Sequence, residues 1–467
     1  MIISEISGKK GKGAMLDEKQ QSLMAAVDQH RWKILDAERF IWKHPETGYR
    51  EWETSHYLEQ IFSELGYQLN KAGNIPGFYT DLETGRPGPH ILIMSELDAL
   101  ICPSHPQSVN GNVHACGHHA QCAAMVGVAT ALKMPGALDG LCGTVRLMVV
   151  PAEELIEIEY RESLRREGVI RYYGGKVEFM HRGYMDGIDL AFMIHTTSDE
   201  RADFLCNIGG NGCRVKRVVY EGVAAHAGGA PHEGVNALYA AQIGMQAINA
   251  LRETFKDEDH IRVHPIITMG GSSVNIIPDE VRLESYVRGA GMDCIAAANR
   301  KVNRALASGA AAMGARVKMM DRHGYAPLNN DKNLMALAKS CMEALVGPNR
   351  VHFKSEWSTG CTDMGDLSCV MPAIHPYAAG ATGMSHGHDY AIADPERACV
   401  NAAKAQVLMV EELLRHEGLR AGAIVTASQP AYPSIRAYLD EIDKVMLDLN
   451  AVDYRPDGSI QIFIKMP

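Results

Sequence analysis

Four times along this chain a short apolar run ends in an ionisable side chain, and that repeat limits the fold more than any other feature. Residues 91–94 lead to Glu96 and Asp98, and residues 145–150 lead through Pro151 to Glu153 and Glu154. Residues 190–194 lead to His195, and residues 372–374 lead through His375 and Tyr377 to a glycine-rich loop with His386 and His388. Short apolar runs bounded by helical stretches are buried strands of an α/β sheet. In open α/β sheets the functional groups gather beyond the carboxyl ends of the strands. Four strand ends bearing carboxylates and imidazoles therefore predict a metal site at one edge of an α/β domain.

The segment His114-Ala115-Cys116-Gly117-His118-His119 supplies the densest group of metal-capable side chains. Glycine between Cys116 and His118 accepts the backbone angles of a tight turn, so both neighbours can face one point. The Ala-rich run at 120–132 reads as a buried helix. The cluster then sits at a helix N-terminus, where N–H groups and the helix dipole favour a thiolate. Glu153 and Glu154 are adjacent acids at the end of a buried strand. Their mutual repulsion is relieved if a cation binds one of them, and the other carboxylate is then tuned as a base.

Between residues 209 and 324 the pattern changes. Strands at 214–220, 260–269, 281–288 and 316–320 alternate with helices at 234–251 and 292–313. The order βαββαβ is that of a ferredoxin-like unit, inserted between 18–208 and 325–417, which form one α/β domain. Gly209-Gly210 and Gly324 mark expected hinges. Helices are expected at 18–42 and 52–65 and up to about residue 415. Residues 418–467 form an extension of unassigned role, with a helix at 434–449 and a strand-like stretch at 459–465. Residues 1–17 read as a loose leader without the apolar core of a signal peptide.

The net charge of -10 argues against nucleic acid or an anionic membrane as the main partner. Eleven cysteines without a framework spacing suit a reducing, cytoplasmic setting. No stretch approaches the ~20 apolar residues of a membrane span.

Taken together, Glu96-Leu97-Asp98-Ala99-Leu100, His114 to His118, Pro151-Ala152-Glu153-Glu154, His195-Thr196-Thr197, Ala225-His226-Ala227-Gly228 and Asn236-Ala237-Leu238 have a distinctive joint order. Over about residues 20–415 it resembles the aminoacylase/carboxypeptidase G-type metallopeptidases. Within them it is most similar to the amidohydrolase branch of hippurate, auxin–amino acid amide and aminobenzoyl-glutamate hydrolases. The resemblance implies a metallopeptidase-type α/β catalytic domain with an inserted ferredoxin-like dimerisation domain, in a homodimer or higher homo-oligomer.

It also implies roles. Cys116 bridges two divalent metals, and His118, Glu154, His195 and His386 complete the ligand set. Position relative to Tyr390 and Ile392 favours His386 over His388. Glu153 is the general base that activates water at the metal, and Asp98 orients a ligand histidine. His226, often donated to a partner subunit, holds substrate or oxyanion, and Asn275 binds a substrate oxygen. Arg288, at a strand end, can clamp a carboxylate bidentately. One thiolate, three imidazoles and a carboxylate suit one or two ions of Mn or Zn, with Co or Ni as alternatives.

The substrate expected is a small carboxylated amide of the N-acyl or N-aroyl amino acid type. Three departures from the branch pattern surround the ligands: His119 where an acid is common, residues 155–161 in place of a glycine-rich stretch, and Thr196-Thr197-Ser198 after His195. They leave room for an aromatic amine as substrate, converted to a phenol and ammonia. A dipeptidase and a non-catalytic metal-binding protein are the further alternatives.

Overall fold

The computed structural model describes residues 16–464. The expected leader falls almost wholly outside that range, as does Lys465. The central sheet has the order Asn70–Lys71, Phe78–Glu83, Thr144–Val150, His90–Glu96, Leu190–Phe192, Ala373–Ile374. Its last four strands run parallel, with Glu96 beside Val150. All four therefore end at the same edge.

Alternation along each strand divides the core. Ile91, Ile93, Val145 and Leu147 face one apolar cluster, whereas Leu92, Met94, Met148 and Val150 face another. Helix His118–Leu132 is buried along its entire length, which explains its Ala-rich composition. Helices Glu18–Gln29 and Arg31–Lys43 both pack against it. The single helix expected at 18–42 is thus two. The chain turns at His30, and Val27 and Ile34 become buried on either side of the turn.

The inserted unit is an antiparallel sheet in the order Arg262–Met269, Glu280–Gly289, Gly209–Glu221, Arg316–Tyr325. Helices Ala237–Ala250 and Met292–Met313 cover one of its faces. The glycines expected as hinges lie within strands instead. Gly209 and Gly210 pair with Asn329 and Leu328 on one side and with Trp357 and Ser358 on the other. Added side chains there would strike backbone: a Cβ on Gly209 would lie 2.2 Å from the Leu328 carbonyl oxygen. Close strand packing, not bending, requires this glycine.

The C-terminal extension joins the two sheets. Its helix Ile435–Asp443 buries Tyr438 and Ile442 in the core beside the central sheet. The helix does not reach 449, because Leu447–Asn450 becomes a fifth strand beside Arg316–Tyr325. Asp443 pairs with Arg171, and Asp448 pairs with Arg322. Among the described residues no helix is long and apolar enough to cross a membrane.

Candidate metal centre

The turn at residues 114–117 places Cys116 at the head of helix His118–Leu132. Gly117 has φ +97, and a Cβ there would meet the hydroxyls of Thr196 and Tyr390 at 2.1 and 2.3 Å. Both the left-handed backbone and the close approach therefore require glycine. Thr196 and Tyr390 hydrogen-bond each other at 2.7 Å and enclose the turn. The His386 N–H donates to the Ala115 carbonyl, which ties the C-terminal loop to the same turn.

Three overlapping triads of ligand atoms result, each within 4.8 Å: Cys116–His118–His195, Cys116–Glu154–His386 and His118–Glu153–Glu154. Cys116, His118 and Glu154 each belong to two of them, so the three triads form one connected cluster. Cys116 Sγ is 3.4 Å from His195 Nε2, and His386 Nε2 is 3.2 Å from Glu154 Oε1. Asp98 serves two strand ends. It accepts from His118 Nδ1 at 3.2 Å through one oxygen and from the Glu154 N–H at 2.8 Å through the other. His118 is thus left with Nε2 facing the cluster.

The electrostatics suit a cation. Burial opposes ionisation of Cys116, yet the imidazoles of His118 and His195 bring its thiol down to about 6. Burial works against the Glu154 carboxylate too, but His386 brings it down to about 2. The Glu154 charge in turn lifts His386 to about 11. Burial, reinforced by the charges of Glu96, Glu154 and Asp363, raises Glu153 well above the usual carboxylate range. His118 Nε2 and Glu154 Oε1 are buried and face ionisable groups: Glu96 lies 3.2 Å from the first and His386 3.2 Å from the second. One thiolate, imidazoles and a carboxylate whose ligand atoms converge within 4.8 Å in each triad fit a transition metal.

Lys176 is the group that sequence reasoning missed here. Glu96, Glu153 and Asp363 form a fourth cluster of acids, and Lys176 Nζ bonds both Glu96 and Asp363. The lysine is wholly buried. Burial opposes its charge, but Asp363 and Glu96 hold it protonated. No pattern in Gly174-Gly175-Lys176 announces a buried ammonium; only the partners reveal it.

The other expected residues lie elsewhere. His119 points away from the cluster, 3.4 Å from Glu38 and against Trp42. His388 is exposed and belongs to none of the triads. His226 and Asn275 share one exposed edge of the inserted unit, where residue 226 bridges to Ile276 and the Ala227 N–H donates to the Asn275 carbonyl. The His226 ring accepts from the Gly228 and Gly229 N–H groups and touches none of the ligands. Val274 beside them is fully exposed. Arg288 lines a cavity of about 260 Å³ on the open face of the second sheet, with Arg262, His264, Glu284 and Tyr286. The Tyr286 hydroxyl reaches the Leu155 carbonyl, one residue past Glu154.

A family model described as "Peptidase family M20/M25/M40" matches residues 92–412. The chain is 31% identical over 392 residues to Xaa-Arg dipeptidase of Homo sapiens, covering 78% of this chain and 80% of that one. It is 28% identical over 286 residues to N-acetyl-L-cysteine deacetylase of Bacillus subtilis, covering 59% of this chain and 63% of the relative. A solved structure of a dinuclear metal-binding peptidase from Bacillus subtilis superposes with a TM-score of 0.61 at 20% identity, over 83% of this chain and 99% of that one. This chain belongs to peptidase family M20/M25/M40 and is a metal-dependent hydrolase of C–N bonds.

Proposed function

We propose that the chain hydrolyses the C–N bond of a small carboxylated amide, of the N-acyl or N-aroyl amino acid type, at this centre. The observation that carries the reading is the placement of Glu153: a buried acid inside a triad with His118 and Glu154, its proton affinity raised by burial and by neighbouring acids. Cys116, His118, Glu154, His195 and His386 would hold one or two divalent ions. The metal supplies Lewis acidity, which makes water acidic and the substrate carbonyl electrophilic. Glu153 takes the proton from the attacking water and delivers it to the leaving nitrogen as the C–N bond breaks. Its raised proton affinity suits both halves of that shuttle. Arg288 clamps the substrate carboxylate. An Xaa-Arg dipeptidase and an N-acetyl-L-cysteine deacetylase among the relatives support a carboxylated amide.

One observation favours a second reading. The Arg288 guanidinium lies over the Tyr286 ring, 5.2 Å from its centre, so a carboxylate anchor and an aromatic side chain line the same cavity. That pairing suits an aminobenzoate as well as an N-aroyl amino acid. In this case water adds to the ring carbon bearing the amino group, and ammonia leaves with the proton from Glu153. A panel of N-acyl amino acids, dipeptides and aminobenzoates, assayed for amine and for ammonia, separates the two. Release of an amino acid supports the amide reading. Ammonia with a phenol supports the second, and no turnover by metal-loaded protein contradicts both.

His226 and Asn275 complete the site from a second copy of the chain, which accounts for their exposure here. Tyr239, Ile243, Ile266, Ile267, Val274 and Ile276 expose apolar surface on the same unit, as an interface would require. His226→Ala should lower kcat by about 10²–10³-fold, as loss of an oxyanion donor does, without changing metal content. Mixed dimers of His226→Ala and Glu153→Gln subunits should regain activity, because one of the two sites then has both groups intact. Mixed dimers as inactive as either parent would remove the support for donation between subunits.

A further inference from the structure

The segment that carries Glu153 and Glu154 is held by side chains at nearly every polar backbone atom. The Ala152 N–H donates to Glu51 at 2.7 Å, and the Glu154 N–H donates to Asp98 at 2.8 Å. The Tyr325 hydroxyl donates to the Glu153 carbonyl. The remaining two carbonyls accept the Gly175 and Ile156 N–H groups, at 3.2 and 2.9 Å, and also share one side-chain donor. Arg161 Nη1 reaches the Ala152 carbonyl at 3.3 Å, and Nη2 reaches the Glu154 carbonyl. Nη1 also donates to the Tyr173 carbonyl at 2.6 Å.

Such a grip has a reason. Ala152 has φ +57, a left-handed conformation that a residue with a side chain adopts at a cost. Strained backbone persists only where its surroundings over-determine it. Arg161 spans the strained residue and the pair that follows, contacting carbonyls on both sides of Glu153. It lies in helix Ile158–Arg166, within the stretch that departs from the expected glycine-rich pattern, and is 1% exposed. A buried guanidinium with a fixed planar fork suits two backbone carbonyls. Gly48 leaves room for it: a Cβ there would lie 2.3 Å from Arg161 Nη2 and 3.0 Å from Ala152.

We infer that Arg161 is a positioning residue for the reaction, fixing the backbone that aims Glu154 at the metal and Glu153 at the water. The inference rests on the metal reading given under Proposed function. The test is Co²⁺ affinity, measured by competition with a chelator, together with the visible spectrum of the Co²⁺-loaded protein. Arg161→Met, Arg161→Lys and Gly48→Ala are compared with the parent chain. Arg161→Met should bind Co²⁺ some 10–100-fold more weakly with an altered spectrum, as supporting partners of metal ligands do when removed. Arg161→Lys should recover part of the loss, since an ammonium can still donate to one of the carbonyls.

A purely architectural arginine would lower the melting temperature and leave the affinity and spectrum of folded protein unchanged; that result for Arg161→Met overturns the inference. Should Arg161→Met not fold, Gly48→Ala decides, because it keeps the guanidinium and displaces it. Weakened Co²⁺ binding in that variant supports the inference and parental binding overturns it. A parent chain that binds no Co²⁺ overturns the metal reading itself, and this inference with it.

Discussion

Glu153→Gln is expected to keep its metal and lose roughly 10²–10⁴-fold in kcat, the usual contribution of general acid–base catalysis. The amide matches the carboxylate in size and cannot accept a proton. It also removes one negative charge from a cluster with Glu96, Glu154 and Asp363, so the fold should not suffer. The measurement is turnover beside elemental analysis on the same sample. Normal kcat would take Glu153 out of the base role. Loss of metal together with activity would make Glu153 a ligand rather than a base.

Cys116→Ala is the second large effect. Its Sγ belongs to two of the ligand triads, so its loss weakens both halves of the centre at once. At pH 7 the thiol, held at about 6, is already a thiolate and binds metal without first losing a proton. Removing it should lower affinity by more than the ~100-fold typical for a supporting partner. It should also leave His118 and His195 without the anion that Sγ places beside both. The imidazoles were drawn toward charge by that thiolate, so both should titrate lower in the variant. Equilibrium dialysis against Zn²⁺ reads the first effect, and unchanged stoichiometry and affinity would contradict the bridging assignment.

The parts of this protein that were legible beforehand share one property: they are governed by local rules. The apolar runs at 91–94 and 145–150, bounded by helical stretches, mark buried strands, and their ends mark where acids gather at the sheet edge. The βαββαβ order of the inserted unit was visible in spacing alone. The preference for His386 over His388 rests on the resemblance, through position relative to Tyr390 and Ile392.

What stayed hidden depends on meetings between distant segments. Lys176 is an ordinary lysine until Glu96 and Asp363 close around it. Arg161 sits in a charged helix whose composition suggests a solvated face, yet its guanidinium is buried against carbonyls. The strand at Leu447–Asn450 has too few residues to announce itself, and it exists because Arg316–Tyr325 offers an open edge. Glycine at 209 and 210 reads as a hinge in isolation; two partner strands make it a place of close contact.

X-ray absorption at the zinc edge of the Zn²⁺-loaded protein tests the central claim most directly, because it reports which atoms surround the ion. The account predicts a sulfur shell at about 2.3 Å together with imidazole scattering, and the loss of that sulfur shell in Cys116→Ala. A zinc shell of nitrogen and oxygen only, the same in both proteins, would contradict it.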